Sequence, residues 1–374
     1  MTTCDVLIVG GGPAGSTCAW KLIQAGMNVI VADKATFPRD KICAGWITPQ
    51  VLETLGLDVA EYSKSRTFQT INSFYVGLFD QPGVEVSFDS PVSYGIRRCE
   101  FDHYLLTRSG ASLQLGEPIK DIHRTPTGWE INGRIEARML VGAGGHFCPV
   151  ARMLRASHPD RGRLVTAVET EFPALNGSAV SECKRSQPRL YFRDDLSGYG
   201  WCVPKGDYLN IGVGLVDSKE TASVADGLMA VLHGDDSFHG ELPDRFHGHA
   251  YYLYDGARSP LLDDAVLLIG DAAGLAYSQS GEGIRPAIES GLLAARVILD
   301  AAGDYTRSRL EPYQIRLIER LGEDRPSFVA RLFQRLGPRA QRAIVRRLIR
   351  SPRFVRNSVI LDGFLHARQP ALIG

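Results

Sequence analysis

A glycine pattern near the N-terminus constrains the fold of this chain more than any other feature. Gly10, Gly12 and Gly15 form the spacing G-x-G-x-x-G directly after a short apolar run. A helix-like segment follows, and a second apolar run ends at Asp33. Strand, glycine turn, helix, strand and acid in this order are typical of a dinucleotide-binding unit in a parallel sheet.

Each residue of this pattern has a physical role. Gly10 permits the tight turn, Gly12 lets a pyrophosphate approach the backbone, and Gly15 allows the helix to pack closely on the strand. The N-terminus of the helix offers free N–H groups to the anion. Asp33 is positioned to accept a hydrogen bond from an adenosine ribose hydroxyl.

A second segment indicates which dinucleotide is bound. Residues 265–274 (AVLLIGDAAG) form another apolar run, which leads into Gly270 and Asp271. In flavoproteins built on this nucleotide fold, such a Gly-Asp binds the ribityl and pyrophosphate part of FAD. Residues 281–284 then begin a long helix whose N-terminus would stabilise the negative charge of reduced flavin. Two segments this far apart in sequence fit one extended FAD, whereas NAD alone would not need the second.

Two further stretches carry recognisable motifs. Residues 37–45 read FPRDKICAG, and residues 199–214 read YGWCVPKGDYLNIGVG. Together with the glycine pattern, they resemble the P-R-x-K-x-C-G and Y-x-W-x-F-P-K-G motifs of the geranylgeranyl reductase family of FAD-dependent oxidoreductases. That family has the FAD fold of para-hydroxybenzoate hydroxylase and is related to the flavin-dependent halogenases.

The resemblance implies an α/β fold. It consists of a Rossmann-like FAD-binding domain of the glutathione reductase and para-hydroxybenzoate hydroxylase type, an inserted antiparallel β-sheet substrate domain and a helical C-terminal tail. We expect residues 1–160 and 262–305 in the FAD-binding domain, 161–261 in the substrate domain and 306–374 in the helical, arginine-rich region. Short β-branched and aromatic runs support the β-rich middle region, including a hairpin that turns at residues 205–207.

The motifs and the resemblance together indicate the cofactor site. FAD takes the one dinucleotide fingerprint, so NAD(P)H or ferredoxin would be a transient electron donor. No metal is expected, because the cysteines form no zinc-binding pattern. The residues assigned to the cofactor are Gly10, Gly12, Pro13, Ala14, Gly15, Asp33, Lys34, Arg39, Lys41, Ala44, Gly45, Arg98, Gly144, Gly270, Asp271, Gly281, Gly283 and Ile284.

Two of these assignments carry an alternative or a departure from the family. By resemblance, Arg98 lies near the flavin or its phosphates. The alternative is a surface ion pair with Asp102, one helical turn away. Gly144 stands where the class has the acid of an Asp-Gly motif, which would loosen a ribose or backbone contact near the flavin.

Cys43 is the candidate catalytic residue. In the reductases, the matching cysteine lies beside the isoalloxazine and is a candidate proton donor, and saturating a C=C bond needs a hydride and a proton. Arg39 and Lys41 flank the thiol and would favour its anion or neutralise a nearby phosphate or flavin. The alternative is a buried, inert cysteine, because free cysteine is among the most buried residue types.

The aromatic residues of the middle region indicate a hydrophobic substrate. Tyr191, Tyr199, Trp201 and Pro204 would line an apolar pocket over the flavin, and the resemblance implies a prenyl lipid or another hydrophobic small molecule. The alternative is that these aromatic residues belong to the ordinary core.

The arginine-rich segment, residues 327–356, contains no acidic residue. Gly337 and Pro338 would divide it into two short amphipathic helices. Such helices suit either peripheral contact with an anionic membrane or a solvated layer that covers the substrate domain. The arginines that recur at three- or four-residue steps are Arg331, Arg335, Arg339, Arg342 and Arg346.

Composition excludes other classes of protein. The chain has 374 residues, 44% of them apolar, and Lys+Arg equals Asp+Glu at 42 each, so no net charge points to nucleic acid. No apolar run approaches the roughly 20 residues that span a bilayer, and the N-terminus leaves no room for a signal peptide. The seven scattered cysteines suggest a reducing compartment. We expect a cytoplasmic protein, either free or peripheral at a membrane surface.

These observations predict an FAD-dependent oxidoreductase similar to geranylgeranyl reductases. It would reduce C=C bonds of an isoprenoid or other hydrophobic substrate with hydride from flavin N5 and a proton from the protein. A monooxygenase or halogenase is the first alternative, since residues 198–204 (GYGWCVP) are close to the halogenases' G-W-x-W-x-I-P. A non-catalytic FAD-binding protein is the second alternative, and the intact phosphate and flavin motifs argue against it.

Overall fold

The structure is a computed structural model that describes residues 1–156, 162–173, 186–234, 245–256, 260–322, 333 and 335–372. In these residues the strands form three sheets with helices around them, and the mixed α/β class is as predicted. The strands are β1 Thr2–Val9, β2 Val29–Asp33, β3 Trp46–Ile47, β4 Gln69–Ile71, β5 Ser73–Leu78, β6 Gln81–Ser87, β7 Ser93–Gly95, β8 Ser112–Leu115, β9 Ile122–Thr125, β10 Gly128–Ile131, β11 Ile135–Gly142, β12 Leu164–Pro173, β13 Arg189–Phe192, β14 Gly198–Lys205, β15 Tyr208–Val216, β16 His247–Tyr252, β17 Leu262–Asp263 and β18 Val266–Leu268.

Proline begins many of the helices, where its missing N–H costs no intrahelical bond. α1, the first of them, starts at Pro13 directly after the glycine turn. The helices are α1 Pro13–Gln24, α2 Pro49–Leu55, α3 Val59–Ser63, α4 Arg98–Arg108, α5 Pro149–Leu154, α6 Thr221–His233, α7 Ile284–Asp300, α8 Arg307–Leu310, α9 Pro312–Leu321, α10 Pro338–Leu348 and α11 Pro352–Phe354, which continues as π-helical turns over Val355–Phe364.

The first sheet has the order β17-β18-β11-β1-β2-β8, with β10 and β9 attached beside β11. The four pairings that link β18, β11, β1, β2 and β8 are parallel. The central strands read as continuous apolar runs because such strands are buried on both faces. The parallel arrangement brings the carboxyl ends of β1, β2, β11 and β18 to one edge.

The second sheet has the order β16-β12-β15-β14-β13-β5-β6 and is antiparallel except between β13 and β5. The predicted hairpin is confirmed, since Lys205 pairs with Tyr208 across a two-residue turn. β5 and β6 also join this sheet, although they come from the stretch 1–160 that we assigned to the FAD-binding domain. The division into domains stays a prediction. A third, small sheet has the order β3-β7-β4.

The C-terminal region packs against the second sheet. α10 begins at Pro338, as the Gly-Pro break predicts, and its Val345 lies in a core shared with β5, β13 and β14. The next residue, Arg346, pairs with Asp80 between β5 and β6 at 2.5 Å and with Asp194 after β13 at 2.9 Å. The part of α10 that carries Val345 and Arg346 therefore covers the second sheet. The first of the two predicted helices includes Arg331, which lies outside the described residues. Of that segment before Gly337, the structure describes only Phe333, Arg335 and Leu336.

Candidate active site

A cavity of about 580 Å³ lies between the edge of the first sheet and one face of the second. Its wall includes the segments that follow β1, β2, β11 and β18, the position where parallel α/β sheets bind ligands. Every residue that the sequence assigned to the cofactor lines this cavity, except Gly15 and Gly270. The structure thus brings together motifs that are up to 270 residues apart in the chain.

Gly15 and Gly270 lie behind the cavity wall, at close packing contacts. A Cβ atom at Gly15 would lie 2.0 Å from the carbonyl oxygen of Gly10. Gly270 has a φ of +60°, and a Cβ atom there would lie 2.9 Å from Cβ of Ala14. Both glycines act through packing of the elements that carry the site and do not line it.

The glycine turn offers donors to an anion. No side chain caps the N-terminus of α1 at Gly12, so the first N–H groups of the helix stay free for a ligand. Arg39 stands beside them, with Nη2 3.6 Å from the Cβ position at Gly12 and 3.1 Å from Asp102. Its buried Nη1 makes no hydrogen bond with any described residue. Free N–H groups and an unpaired guanidinium nitrogen fit the pyrophosphate of FAD.

Asp33 ends β2 and supports the same turn. Its Oδ2 accepts the N–H of Gly11 at 2.8 Å, and its Oδ1 accepts the N–H of Ala35 at 2.9 Å. Each carboxylate oxygen has further lone-pair capacity, so the group can still accept a ribose hydroxyl.

Arg98 has both features that the sequence left as alternatives. Its Nε and Nη2 donate to Asp102 at 2.7 and 2.8 Å, so the ion pair one turn apart does form. The pair is buried, however, and Arg98 also lines the cavity. Burial opposes the charge of Arg98, but Asp102 and the adjacent Cys43 outweigh it and raise the pKa of the guanidinium. The surface location was wrong because Asp102 lies in the interior.

Close packing explains why position 144 holds glycine and not the acid of the Asp-Gly motif. Gly144 lines the cavity, and a Cβ atom there would lie 3.3 Å from Cα, Cβ and Sγ of Cys148. Cys148 is buried. A larger residue at 144 would press on this cysteine, so the local packing suits glycine.

Cys43 lies in the cavity wall and is held by the second sheet. Its N–H donates to Oε1 of Glu169, and its carbonyl oxygen accepts from Nζ of Lys205 at 3.0 Å. The Sγ atom accepts the N–H of Gly45 at 3.4 Å. The thiol is half-buried and lines the candidate active site, and its catalytic role stays a prediction.

Lys205 anchors a buried chain of charges. It is fully buried, and its Nζ also lies 2.6 Å from Oε2 of Glu171. Glu171 in turn accepts from Nε of Arg97 at 2.9 Å. Burial raises the pKa of Glu171, but Lys205 and Arg97 outweigh burial and bring it below its usual range. Lys205 belongs to the Pro-Lys-Gly motif, whose sequence does not indicate this role.

Trp201 and Tyr199 line the sheet side of the cavity. The Trp201 Nε1 donates to Oδ1 of Asn210 at 2.7 Å, and the Tyr199 hydroxyl donates to the carbonyl of Ser280 at 2.6 Å. A Cβ atom at Gly212 would lie 2.5 Å from the Trp201 ring. Residues 210–214 (NIGVG, an N-x-G-x-G motif) thus supply the indole's hydrogen-bond acceptor, Asn210, and the space for its ring, at Gly212.

Two predicted pocket residues do not reach the cavity. Side chains alternate along a strand, so Trp201 faces the cavity while Pro204 faces the other way. Likewise, Leu190 lines the cavity, and Tyr191 packs with Leu228 of α6 on the opposite face. Tyr191 and Pro204 therefore do not line the cavity, contrary to the prediction.

The C-terminal segment supplies a cavity residue that the sequence did not indicate. Phe364 lines the cavity, with its ring 5.1 Å from that of Tyr199 and 5.6 Å from that of Trp46. No motif marks this position, and only tertiary packing brings it to the site.

Two carboxyl groups of the cavity have raised pKa values. Burial raises the pKa of Glu282 to about 7, and the N–H of Arg285 offsets only part of the shift. Burial also raises the pKa of Glu169, with Lys205 and the Cys43 N–H offsetting part of it. Acids with raised pKa values in a cavity are candidates for proton transfer.

A pair of basic side chains lies at the same cavity. Nζ of Lys41 is 3.1 Å from Nε2 of His249, and both residues line the cavity. Burial lowers the pKa of Lys41, and Asp271 offsets part of that effect. Burial and then Lys41 lower the pKa of His249 to about 3, so the imidazole is neutral at neutral pH.

We expect His249 to make the FAD-free protein less stable in acid. Its folded pKa of about 3 lies below the usual 6.5, so the unfolded chain binds the proton more tightly and stability falls as pH drops between these values. After allowance for partial exposure, the loss should be about 2 kcal/mol. Urea unfolding across this range should show a shallower decline for His249→Gln. Equal slopes in both proteins would contradict the assignment, because His366, whose pKa is lowered to about 4, is present in both.

Known proteins resemble this chain over most of its length. Residues 5–89 match the FAD dependent oxidoreductase family. A menaquinone reductase of Mycobacterium tuberculosis is 31% identical over 326 residues, covering 79% of this chain and 76% of that protein. Digeranylgeranylglycerophospholipid reductase 1 of Methanothermobacter thermautotrophicus is 25% identical, covering 87% of this chain and 84% of that protein.

The fold resembles a solved structure over nearly the whole chain. A geranylgeranyl bacteriochlorophyll reductase-like protein of Thermoplasma acidophilum superposes with a TM-score of 0.78 over 97% of both chains, at 19% identity. This match concerns the fold alone. Among the described residues, every helix is too short or too polar to cross a membrane.

Proposed function

This chain belongs to the geranylgeranyl reductase family of FAD-dependent oxidoreductases, and from this premise we propose that it saturates C=C bonds of an isoprenoid lipid. One observation carries the proposal: the predicted FAD residues, apart from Gly15 and Gly270, share a cavity with an apolar wall, the half-buried Cys43 thiol and the buried Glu169 carboxyl. When bound and reduced, FAD supplies the hydride. The relatives named for menaquinone and for a digeranylgeranyl phospholipid support a lipid substrate.

The assigned residues would divide the binding of FAD among them. The N-terminus of α1 and Arg39 would neutralise the pyrophosphate, and Asp33 would accept the ribose hydroxyl. Asp271 would contact the ribityl chain. The start of α7, after Gly283, would place positive dipole charge beside the flavin ring.

The substrate side of the cavity suits an apolar chain. Trp201, Tyr199 and Phe364 form an aromatic wall whose polar atoms, where present, are bonded within the protein. Such a surface binds hydrocarbon and excludes water from the reacting bond. Cys43 and Glu169 line the same cavity and are hydrogen-bonded to each other, so either could supply the proton.

The tail would bring the enzyme to its substrate. Arg335, Arg339 and Arg347 are exposed on or next to α10, whereas Arg346 is paired with aspartates. We propose that this exposed set contacts an anionic membrane surface while the opposite face of the helix stays docked on the sheet. The transient electron donor would be NAD(P)H or a ferredoxin.

An anaerobic stopped-flow experiment tests the proposed function. FAD-loaded, chemically reduced protein is mixed with a geranylgeranyl lipid in vesicles, made once with anionic and once with zwitterionic phospholipid. We expect the lipid to reoxidise the flavin and to gain two hydrogens by mass spectrometry, faster from anionic vesicles. Equal rates from both vesicle types would contradict membrane contact through the tail.

Oxygen provides the contrasting arm of that experiment. The same reduced protein is mixed with oxygen in the absence of lipid. If oxygen consumes the reduced flavin quickly and the anaerobic lipid leaves it unchanged, the reductase proposal is wrong. A monooxygenase or halogenase would then be the function to test.

A further inference from the structure

The carboxyl group of Glu169 stands out among the cavity residues because one of its oxygens is unused. Glu169 lies in β12, is 4% exposed and lines the cavity. Its Oε1 accepts the Cys43 N–H, and the side-chain amide of Asn210 on β15 lies close enough to lower the pKa of the carboxyl, but Oε2 makes no hydrogen bond of ordinary geometry with any residue in the described part of the chain. Leaving a buried polar atom unpaired costs roughly 1–3 kcal/mol. A fold that keeps such an atom at a cavity indicates a ligand or a reaction that uses it.

The charges around Glu169 leave it without a full counter-ion. Lys205 is the cation whose charge favours ionised Glu169, but its Nζ is bonded to Glu171 and to the Cys43 carbonyl. Glu171 also receives Arg97 and is therefore the ionised member of the two carboxyl groups. Two carboxyl groups whose surroundings push their protonation in opposite directions are typical of an acid–base assignment.

We infer that Glu169 is the acid that donates the proton to the substrate, with Cys43 a positioning residue beside it. This inference rests on the proposed function. The O–H bond at Oε2 breaks, and the proton forms a C–H bond with the alkene carbon that does not receive the hydride, using the π-electron pair. The carboxylate left behind takes a proton from solvent after the product leaves, so atoms and charge balance.

The surroundings of the Cys43 thiol favour this division of roles. Sγ accepts the Gly45 N–H at 3.4 Å and lies beside the Arg98 guanidinium. These two donors fix the sulfur beside Glu169, which suits a positioning role. A proton on Oε2 of Glu169, in contrast, has no acceptor among the described residues and is available to a ligand.

Several other titratable groups face Glu169 or share its cavity. Lys205 and Glu171 lie beside it on the second sheet, and Tyr251, whose pKa burial raises well above its usual value, approaches from β16. Glu282, with a pKa raised to about 7, lines the opposite part of the cavity. Glu282 is the group whose titration could be mistaken for that of Glu169, so it must be removed in a control.

Infrared spectroscopy tests whether Glu169 holds a proton. FAD-loaded Glu282→Gln protein is titrated between about pH 5 and about pH 9, with and without Glu169→Gln, and the protonated carboxyl C=O band is followed. We expect a band that persists at neutral pH, disappears as pH rises and is missing when Glu169 is replaced. Glu169→Gln is nearly isosteric, and retained FAD absorbance checks its folding. A Glu169 carboxyl that is ionised at neutral pH would overturn the inference, whatever the substrate.

Kinetics then separate the two candidate donors. In single turnovers with a geranylgeranyl lipid, we expect Glu169→Gln to lower the rate at least 100-fold, about the low end for losing a general acid. The decline of the rate at high pH should remain in Cys43→Ser and disappear in the residual activity of Glu169→Gln. The reverse pattern would make Cys43 the donor. If the unaltered enzyme leaves the lipid unreduced, the proposed function fails and the donor role with it, while the infrared result still reports the protonation of Glu169.

Discussion

Replacing Gly15 by alanine is expected to abolish FAD binding by destabilising the fold. The new Cβ atom would lie 2.0 Å from the carbonyl oxygen of Gly10 and 3.1 Å from Ile8. A backbone oxygen cannot move aside as a side-chain end can, so α1 must separate from β1. We expect a loss of at least about 3 kcal/mol in the free energy of unfolding, measured by urea titration of the FAD-free protein.

Gly12→Ala is the matched control for this change. Gly12 has a φ of −75°, which alanine adopts freely, and the nearest atom to its new Cβ would be Nη2 of Arg39 at 3.6 Å. Its stability should change by less than about 1 kcal/mol, whereas its affinity for FAD should fall at least tenfold because the methyl group enters the phosphate site. Similar stability losses in both variants would refute the distinction between a packing glycine and a binding glycine.

Lys205→Met should have the second largest effect, and on stability as well as activity. It removes the bond to the Cys43 carbonyl and leaves Glu171 with Arg97 as its one remaining cation among the described contacts. Breaking a buried pair typically costs 3–5 kcal/mol. Because Glu171 is 23% exposed and keeps Arg97, we expect about 2–3 kcal/mol here.

A surface pair provides the comparison for Lys205. The side chains of Arg134 and Glu117 are 69% and 56% exposed, and Nη1 of Arg134 lies 3.0 Å from Oε1 of Glu117. Arg134→Met should cost less than about 1 kcal/mol in the same urea titration. Equal costs for the two variants would show that burial does not set the strength of the Lys205 pair. In addition, Lys205→Met should slow lipid reduction, since Cys43 loses the side-chain bond that holds its carbonyl.

The buried ion pairs around Lys205 explain in structural terms why the family motifs contain these residues. The P-R-x-K-x-C-G motif supplies Cys43, and the Pro-Lys-Gly motif supplies the Lys205 that holds its carbonyl. Gly212 of the N-x-G-x-G motif leaves room for both Trp201 and Glu169, whose Cβ is 2.6 Å from the position of a Cβ at 212. Residues 37–45 and 199–214, which are far apart in the sequence, therefore build one wall of one cavity.

The sequence by itself determined the nucleotide-binding half of the molecule. Strand, glycine turn, helix and acid follow one another within about 30 residues. The hydrophobic period of each element and the glycines of the turn depend only on residues close in sequence, so the sequence predicts them. The hairpin of β14 and β15 and the start of α10 at Pro338 were equally local and were predicted. The family motifs also predicted that Cys43 and Trp201 lie close together, because the resemblance assigns both residues to the surroundings of the flavin.

Only the tertiary structure decided which side chains share the cavity. Tyr191 and Pro204 lie in the predicted strands, but the alternation of the pleat and the pairing of the strands turn them to the other face. Phe364 reaches the cavity through packing of the tail, which no local pattern encodes. The protonation of Glu169 likewise depends on burial and on which carboxyl group Lys205 contacts, and both result from chain segments that are far apart in sequence.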